Sequence, residues 1–379
     1  IFLTEIFLPP PLTPMLATSR TKCAAVQRRV SHTRRVARRA STRRAASTTA
    51  ASSVLVVNTK GGGHSPIGFW LCKKLAEAGN TVTVMVAGAQ DDKGMNKPPF
   101  CYFDQLRQLG VTTVWGSPDN IAAAVGAGAR FDTVVDNNGK DMSTVGPVID
   151  YAKSCGASQF LFVSSCGVYK TTHTPPHVEG DAVKESAGHV QVEQALASSG
   201  LQWSSFRPQY ISGYGSNKDC EEWFFDRLTR GRPVPIPGSG WQMSNIAHSE
   251  DLGFMIALAV GNPEANGHVF NCVNDKGVTL DGMVHLCAEA AGVKDYKIVH
   301  YDPDEVGVEV KKAFPFRPVH FYADPRAARR VLGWSATHTY EDFLKARFQE
   351  YVSCGRAQAD LSEKFKLDDV ILAKSVVNA

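Results

Sequence analysis

The chain has 379 residues, 43% of them apolar, enough for a large core, and no apolar run approaches the ~18 residues of a membrane-spanning helix. Its formal charge of +4 misleads, because residues 1–50 hold ten Lys/Arg and the single acid Glu5, leaving 31 basic against 36 acidic residues in 51–379. The body is therefore mildly acidic, which excludes bulk charge as an argument for nucleic-acid binding; any such binding needs a local basic patch. In chain order, the leader comes first. From Met15 it is rich in Arg, Ser, Thr and Ala, the composition of an organellar transit peptide; the rival reading is an arginine-rich nucleic-acid-binding tail. Residues 1–14 precede Met15 and read as translated upstream sequence.

Val54–Asn58 reads as a buried strand, Thr59–Gly68 as a glycine turn, and Phe69–Ala78 as an amphipathic helix closed by Gly79. Further strands are predicted at Thr81–Val86, Val111–Val114, Thr133–Asp136, Phe160–Ser164 and Trp203–Arg207, with helical patterns at Thr144–Ser154 and His189–Ser198. This alternation predicts an α/β fold, a doubly wound parallel sheet of Rossmann type. After Pro208 the pattern loosens into an aromatic helix, Glu221–Leu228, and a turn-rich stretch, Gly231–Gly238. Strand and helix signals return at Asp251–Val260 and Val269–Val273, and helices are predicted over 279–291, over 325–332 and from the capping-box start Thr339–Asp342. The expected organisation is a leader (1–50), a Rossmann-like domain (51–215) and a mainly separate, smaller C-terminal lobe (216–379). Segments at about 243–275 are expected to return to the sheet. Nine scattered cysteines form no Cys-x-x-Cys pair, which argues against a zinc ribbon and for reduced, mostly buried thiols.

The first turn sits where a dinucleotide loop belongs. Aligned on Gly68 it offers Gly62-x-x-Ser65-x-x-Gly68, with Gly63 inside it. Ser65 replaces the middle glycine, so its Cβ crowds the pyrophosphate space. Strand two ends in Ala87-Gly88 rather than an acid for the ribose, and Asp91 and Asp92 come later. Ser164-Ser165 ends the fifth strand, where short-chain dehydrogenases place a substrate-polarising hydroxyl. Some two dozen residues on, those enzymes carry Tyr-x-x-x-Lys, in which the Lys lowers the Tyr pKa. Here the positions read His189-x-x-x-Glu193, which puts a negative charge where a positive one is needed. The one true Tyr-x-x-x-Lys, Tyr214 to Lys218, is built from Gly, Ser and Asn and reads as a turn.

Asp136-Asn-Asn-Gly-Lys-Asp141 ends the fourth strand. Its carboxylates suit a hydrated Mg²⁺, and the alternative is an Asx-rich turn. Lys311-Lys-Ala-Phe-Pro-Phe-Arg317 and the run on to Tyr322 interleave cations with aromatics, as surfaces that grip phosphate and stack bases do; the alternative is a packed lobe loop. Trp223, Phe224 and Phe225 read as lobe packing, and single histidines such as His64 and His248 as non-metal.

Phe160–Lys170, Pro175–Ala182, Asp219–Arg227, Val234–Gly240, Asn271–Asp275 and Lys311–Arg317 resemble the chloroplast stem-loop-binding proteins. Asn58–His64 and Asp136–Asp141 resemble the a-type more than the b-type paralogue. The family is similar to atypical extended short-chain dehydrogenases that have lost their redox residues. The resemblance implies binding of stem-loop mRNA and rRNA, divalent-metal-stimulated endoribonuclease activity and association with the plastid ribosome. It also implies a chloroplast stroma address and a homo-oligomer or hetero-oligomer with the b-type paralogue. The residues themselves, and no family nuclease signature, make Asp136 and Asp141 the candidate Mg²⁺ ligands with Asp181 as a third carboxylate, and these three are the candidate catalytic residues. Lys140, Arg207, Lys311, Lys312 and Arg317 contact phosphate, and Gly62, Gly63 and Gly68 are a degenerate NAD(P) turn not expected to support redox chemistry. The rivals are a non-catalytic RNA chaperone or ribosome-associated scaffold, and a residual NAD(P)-dependent nucleotide-sugar epimerase or reductase.

Overall fold

The computed structural model describes residues 51–90, 95–213 and 220–375. The leader, Asp91, Asp92 and the Tyr214–Lys218 motif lie outside the described residues. Six strands, β1 (Ser53–Asn58), β2 (Thr81–Ala87), β3 (Thr112–Gly116), β4 (Thr133–Asn137), β5 (Gln159–Val163) and β6 (Gln202–Pro208), follow the predicted runs closely. After the short strands β7 (Tyr210–Ser212), β8 (Val234–Pro237), β9 (Met243–Ser244) and β10 (Ile246–His248) comes β11 (His268–Cys272), then β12 (Val278–Thr279) and β13 (Ile298–Tyr301). Seven of them form one all-parallel sheet in the order β11-β6-β5-β4-β1-β2-β3. The order reverses between β1 and β4, the topological switch point at whose strand carboxyl ends such folds bind ligands.

Parallel strands need crossover helices, and those helices cover both faces. The main helices are α1 (Ser65–Glu77), α2 (Met142–Ser154), α3 (Gly188–Ala197), α4 (Glu221–Leu228), α5 (Ser249–Ala257), α6 (Leu280–Ala291), α7 (Tyr340–Ser353) and α8 (Ser362–Ser375). Alternation along β1 sends Val54 and Val56 into one core with Phe69, Leu71 and Met255. Leu55 and Val57 enter the other, with Val145, Val148 and Phe162. Helices α1 and α5 cross so closely that a Cβ on Gly253 would collide with the backbone of Leu71 and the side chain of Trp70.

A third core belongs to the C-terminal half, where Phe224, Phe225, Ile236, Met283, Phe314, Phe316, Phe343 and Tyr351 pack together. The turn-rich reading of Gly231–Gly238 is corrected here: Val234–Pro237 is a strand, parallel to β13. Its two prolines are compatible with pairing because the ladder uses the N–H groups of Val234, to the Lys297 carbonyl at 2.8 Å, and of Gly238, to the Tyr301 carbonyl at 2.9 Å. Pro235 and Pro237 fall on alternate positions that need not donate to that neighbour. Ion pairs tie later segments to this core, the buried Arg227 to Asp368 at 2.8 Å and the partly buried Arg356 to Asp226 at 2.6 Å.

Candidate functional site

At the switch point the β1–α1 turn keeps two glycines for mechanical reasons. Gly62 has φ of +77°, a left-handed turn that a side chain resists. Gly68 lies against β1, where an added Cβ would strike the Asn58 side chain. Asn137 on β4 donates to Asn58 Oδ1 at 2.7 Å and to the His64 carbonyl at 2.8 Å, which ties the turn to the neighbouring strand. Ser65 is fully buried, and its hydroxyl donates to the Gly62 carbonyl at 3.0 Å. The residues thus fit a nucleotide in the turn and in helix–strand packing. They do not fit it where a glycine would make room for pyrophosphate, nor at Ala87-Gly88.

The carboxyl end of β4 is a turn. Asp136 is fully buried; its Oδ1 accepts the N–H groups of Asn138 at 2.8 Å and Gly139 at 2.7 Å. Burial pushes its carboxyl up to about 6 against those two amides. Asp141 caps α2 in a capping box with Thr144, and its Oδ1 accepts from Ser143 Oγ at 2.7 Å, Thr144 Oγ1 at 2.9 Å and Thr144 N–H at 3.1 Å. Hydrogen bonds from Ser143 and Thr144 hold its carboxyl below the usual range. Gly188 packs on this turn so tightly that a Cβ would meet the Lys140 carbonyl and Asp141. Asp181 is engaged in its own loop, by Val178 N–H at 3.2 Å and beside His177 Nδ1 at 3.2 Å. A Mg²⁺ site needs carboxylate oxygens open to several waters. Asp136 is fully buried, and Asp136, Asp141 and Asp181 do not gather into one group of ligand atoms among the described residues, so the three do not together form the shared site a single Mg²⁺ would need.

The end of β5 and helix α3 hold the positions of the lost relay. Ser165 Oγ accepts the Gly167 N–H at 3.0 Å, a turn contact. His189 lies beside the Phe162 ring, 5.9 Å between centroids, and burial lowers its pKa. Glu193 finds a cation in the sheet: Arg207 Nε and Nη2 donate to its two oxygens at 3.0 and 2.5 Å, and Ser205 Oγ donates to it at 2.8 Å. Arg207 is only 4% exposed, and its guanidinium carbon lies 4.9 Å from the Tyr169 ring centroid. In this structure Arg207 is thus buried and paired with Glu193, away from the surface where phosphate was expected to meet it.

Next to this closed region lies a cleft of ≈ 770 Å³, lined among others by Gly167, Tyr210, Glu309, Lys311, Phe316 and Arg317. The Arg317 guanidinium lies over the Phe321 ring at 3.9 Å, and its backbone N–H donates to the Tyr210 hydroxyl at 2.9 Å. From the other side Lys184 Nζ donates to the Gly167 carbonyl at 2.9 Å. An added Cβ on Gly167 would lie 3.4 Å from Arg317 Nη2, so both cations flank one glycine. Partial burial and the charge of Arg317 lower the Lys184 pKa. Among the described residues neither Arg317 nor Lys184 forms an ion pair, and exposed Lys140 forms none either. Lys311 and Lys312 are exposed and share Glu309 at 2.8 and 2.6 Å, which holds that carboxyl down at about 2.

Sequence spacing missed one cluster. Ligand atoms of His248, Glu250 and His338 lie within 4.8 Å of one another, the one such group among the described residues. The two imidazoles are stacked, 3.9 Å between centroids and 20° between planes. Lone pairs in the plane of stacked rings cannot converge on one ion, and His248 Nδ1 already accepts the Glu250 N–H at 3.3 Å. Their partners lie some ninety positions apart, which no local motif reveals.

Residues 61–272 match the model of the NAD dependent epimerase/dehydratase family. The chain is 35% identical over 325 residues to the chloroplast stem-loop binding protein of 41 kDa b of Arabidopsis thaliana, covering 83% of this chain and 84% of that one. Among solved structures it is similar to a UDP-glucose 4-epimerase from Stenotrophomonas maltophila with bound NAD, with a TM-score of 0.61, 16% identity and coverage of 81% and 99%. A UDP-glucuronic acid 4-epimerase from Bacillus cereus with NAD gives a TM-score of 0.63 at 13% identity, covering 79% and 99%. At such identities these two establish the fold alone.

Proposed function

Because the chain belongs to the NAD dependent epimerase/dehydratase family and, within it, to the chloroplast stem-loop-binding proteins, we propose that it is a chloroplast RNA-binding protein holding stem-loop RNA at its lobe-side cleft. The observation that carries this reading is the pair Arg317 and Lys184, two cations facing one glycine, neither in an ion pair among the described residues, and bordered by Phe316, Phe321 and Tyr210. Unneutralised guanidinium and ammonium groups attract phosphate, and aromatic faces accept unpaired bases. Lys311 lines the same cleft, and Lys312 and Lys140 are further exposed cations proposed to meet phosphate. The acidic body is compatible with this, since the patch is local.

The residues of the lost relay do not support hydride transfer: His189 is half-buried, and Glu193 is committed to Arg207. NAD(P), when bound, supplies a nicotinamide hydride carrier. The chain's own contribution would be the Gly62 and Gly63 backbone under the phosphates and the Gly68 approach to β1, with no proton relay beside it. Endoribonuclease activity, messenger and ribosomal RNA targets, the plastid ribosome, a stromal address and pairing with a b-type paralogue belong to the family reading. No cleavage step is assigned to Asp136, Asp141 or Asp181.

The test is a titration of the purified protein with an end-labelled stem-loop RNA at several salt concentrations, with Mg²⁺ and with EDTA. Expected is saturable binding whose affinity falls steeply with salt and weakens in Arg317→Ala. Binding indifferent to salt, or no binding, overturns the reading. Cutting at defined positions only with Mg²⁺ establishes the nuclease, and intact RNA in both conditions leaves a binding protein.

A further inference from the structure

We propose that His338 is a proton-operated clasp: with its ring protonated it fastens the segment leading into α7 onto the start of α5, and with the proton lost that fastening loosens. The clasp uses none of the residues assigned to RNA and acts where two cores of the body meet. Residues 334–340 cross from one core to the other. Trp334 belongs to the core of Phe69, Leu71 and Met255, and Tyr340 to the core of Phe314, Phe316 and Phe343. His338 lies within that crossing.

One carboxylate ties the crossing down. Asp251, in the first turn of α5, is only 2% exposed. Its side chain accepts the Thr337 N–H at 3.0 Å, the His338 N–H at 3.0 Å and the Thr337 hydroxyl at 2.5 Å. Its backbone carbonyl accepts the Trp334 indole N–H at 3.0 Å. From the other side Asn274 Nδ2 donates to the His338 carbonyl at 2.9 Å. A carboxylate taken out of water is costly unless a cation is paired with it. Among the described residues no Lys or Arg pairs with Asp251. The group within ion-pair reach is His338, whose Nδ1 lies 3.2 Å from Asp251 Oδ1.

The second ring nitrogen meets a second carboxylate. Nε2 of His338 lies 3.7 Å from Glu250 Oε2, and Glu250 is held in turn by Lys74 of α1 at 2.7 Å. A neutral imidazole carries one N–H, so it offers a donor to one carboxylate and a lone pair to the other, whereas imidazolium has a donor for each. His248, just before α5, completes the surroundings, stacked on the ring at 3.9 Å between centroids. Burial and the neighbouring His338 hold His248 down at about 4, so it stays neutral and the stack carries a single proton. The charged and titratable groups facing His338 are therefore Asp251 and Glu250 of α5, His248 and Lys74. The hydrogen bond with Asp251 raises the His338 pKa above its ordinary 6.5 against the effect of burial, with the charges of Asp251 and Glu250 adding to the rise and Lys74 opposing it. With the folded pKa raised, the clasp contributes its full stabilisation below 6.5 and loses it as pH rises through the folded value.

The experiment uses the full chain in EDTA, which keeps stray metal off His248, Glu250 and His338. Urea denaturation is followed from about pH 6.5 to about pH 9, a window above the Asp136 transition at about 6. Hydrogen exchange of residues 334–340 is followed by mass spectrometry at the same pH values, corrected for the intrinsic rate. Expected for the wild type is a denaturation midpoint that falls as pH rises, together with loss of protection in 334–340. His338→Gln keeps a side-chain donor and cannot titrate. It should start with a lower midpoint, show no fall of its own across the window and meet the wild type at the high-pH end. Glu250→Gln, at a part-exposed position, should show a smaller fall than the wild type, because a single carboxylate then faces the ring. Equal falls in wild type and His338→Gln overturn the inference, and so does a wild type whose midpoint and protection stay constant across the window. If His338→Gln does not fold, the comparison passes to Glu250→Gln, and a fall equal to that of the wild type overturns the inference there.

Discussion

The carboxyl ends of β4 to β6 and the strip from Glu309 to Phe321 border one another and treat charge in opposite ways. At the sheet, Glu193 and Arg207 neutralise each other out of water, and Asp136 Oδ1 and Asp141 Oδ1 are engaged as turn and cap acceptors. On the strip and its facing loop, Arg317 and Lys184 repel each other across Gly167. Where short-chain dehydrogenases carry the relay Lys, this chain carries Glu193, and its carboxylate is held by a strand arginine and Ser205 in a structural ion pair. Groups able to meet a polyanion remain where the C-terminal half overhangs the sheet.

The largest effect should come from breaking the closed side. Arg207→Ala leaves the Glu193 carboxylate buried without a cation and should cost about 3–5 kcal/mol in chemical denaturation, whereas Glu193→Leu with Arg207→Met should be near neutral. A loss below about 1 kcal/mol for Arg207→Ala would show that water reaches the pair and that Arg207 is open to ligands. Next comes Asp136. Its folded pKa of about 6 lies above its usual 3.8, so its contribution to stability is full below about 4 and is lost as pH rises through about 6. Order-of-magnitude linkage gives about 3 kcal/mol across that window. Asp136→Asn keeps the Oδ1 acceptor and removes the charge, so it should flatten this window and raise stability at pH 7. An unchanged pH profile would show that Asp136 stays ionised and open to a cation.

How much of this was readable beforehand depended on sequence distance. The six strands up to Pro208 were legible because a sheet covered on both faces writes itself as apolar runs such as Val54–Val57. Val234–Pro237 was not, because proline signals a turn unless the silent positions of the ladder are known. Arg207 looked available because a strand-end arginine reads as one, and nothing in the chain announces a partner fourteen residues away on a helix. The Asx-rich turn was legible in kind, and its alternative reading is the one the Asp136 and Asp141 contacts describe.

On the open side the effects are smaller and appear in binding. Arg317→Ala should weaken stem-loop RNA about tenfold and lower the salt slope by about one, with a loss of stability no larger than about 1–2 kcal/mol, that of its stacking on the Phe321 ring. Lys184→Ala should act in the same direction. Equal loss of stability and binding in Arg317→Ala would mean that the residue packs the lobe against the sheet instead.

The smallest predicted change is a gain. Glu309 binds both Lys311 and Lys312, and those contacts hold it ionised down to about pH 2, so at any working pH the three groups present one net positive charge to the cleft. Glu309→Gln removes the carboxylate and leaves two ammonium groups on the same exposed turn. RNA affinity at low salt should rise about two- to threefold, with a steeper salt dependence as further counterions are released. Lys311→Ala, which leaves Lys312 and Glu309 to cancel, should lower it by a similar factor. The opposite signs separate a phosphate-contacting rim from a merely solvated one: if both variants bind as the wild type does, the unspent charge of this region is confined to Arg317 and Lys184.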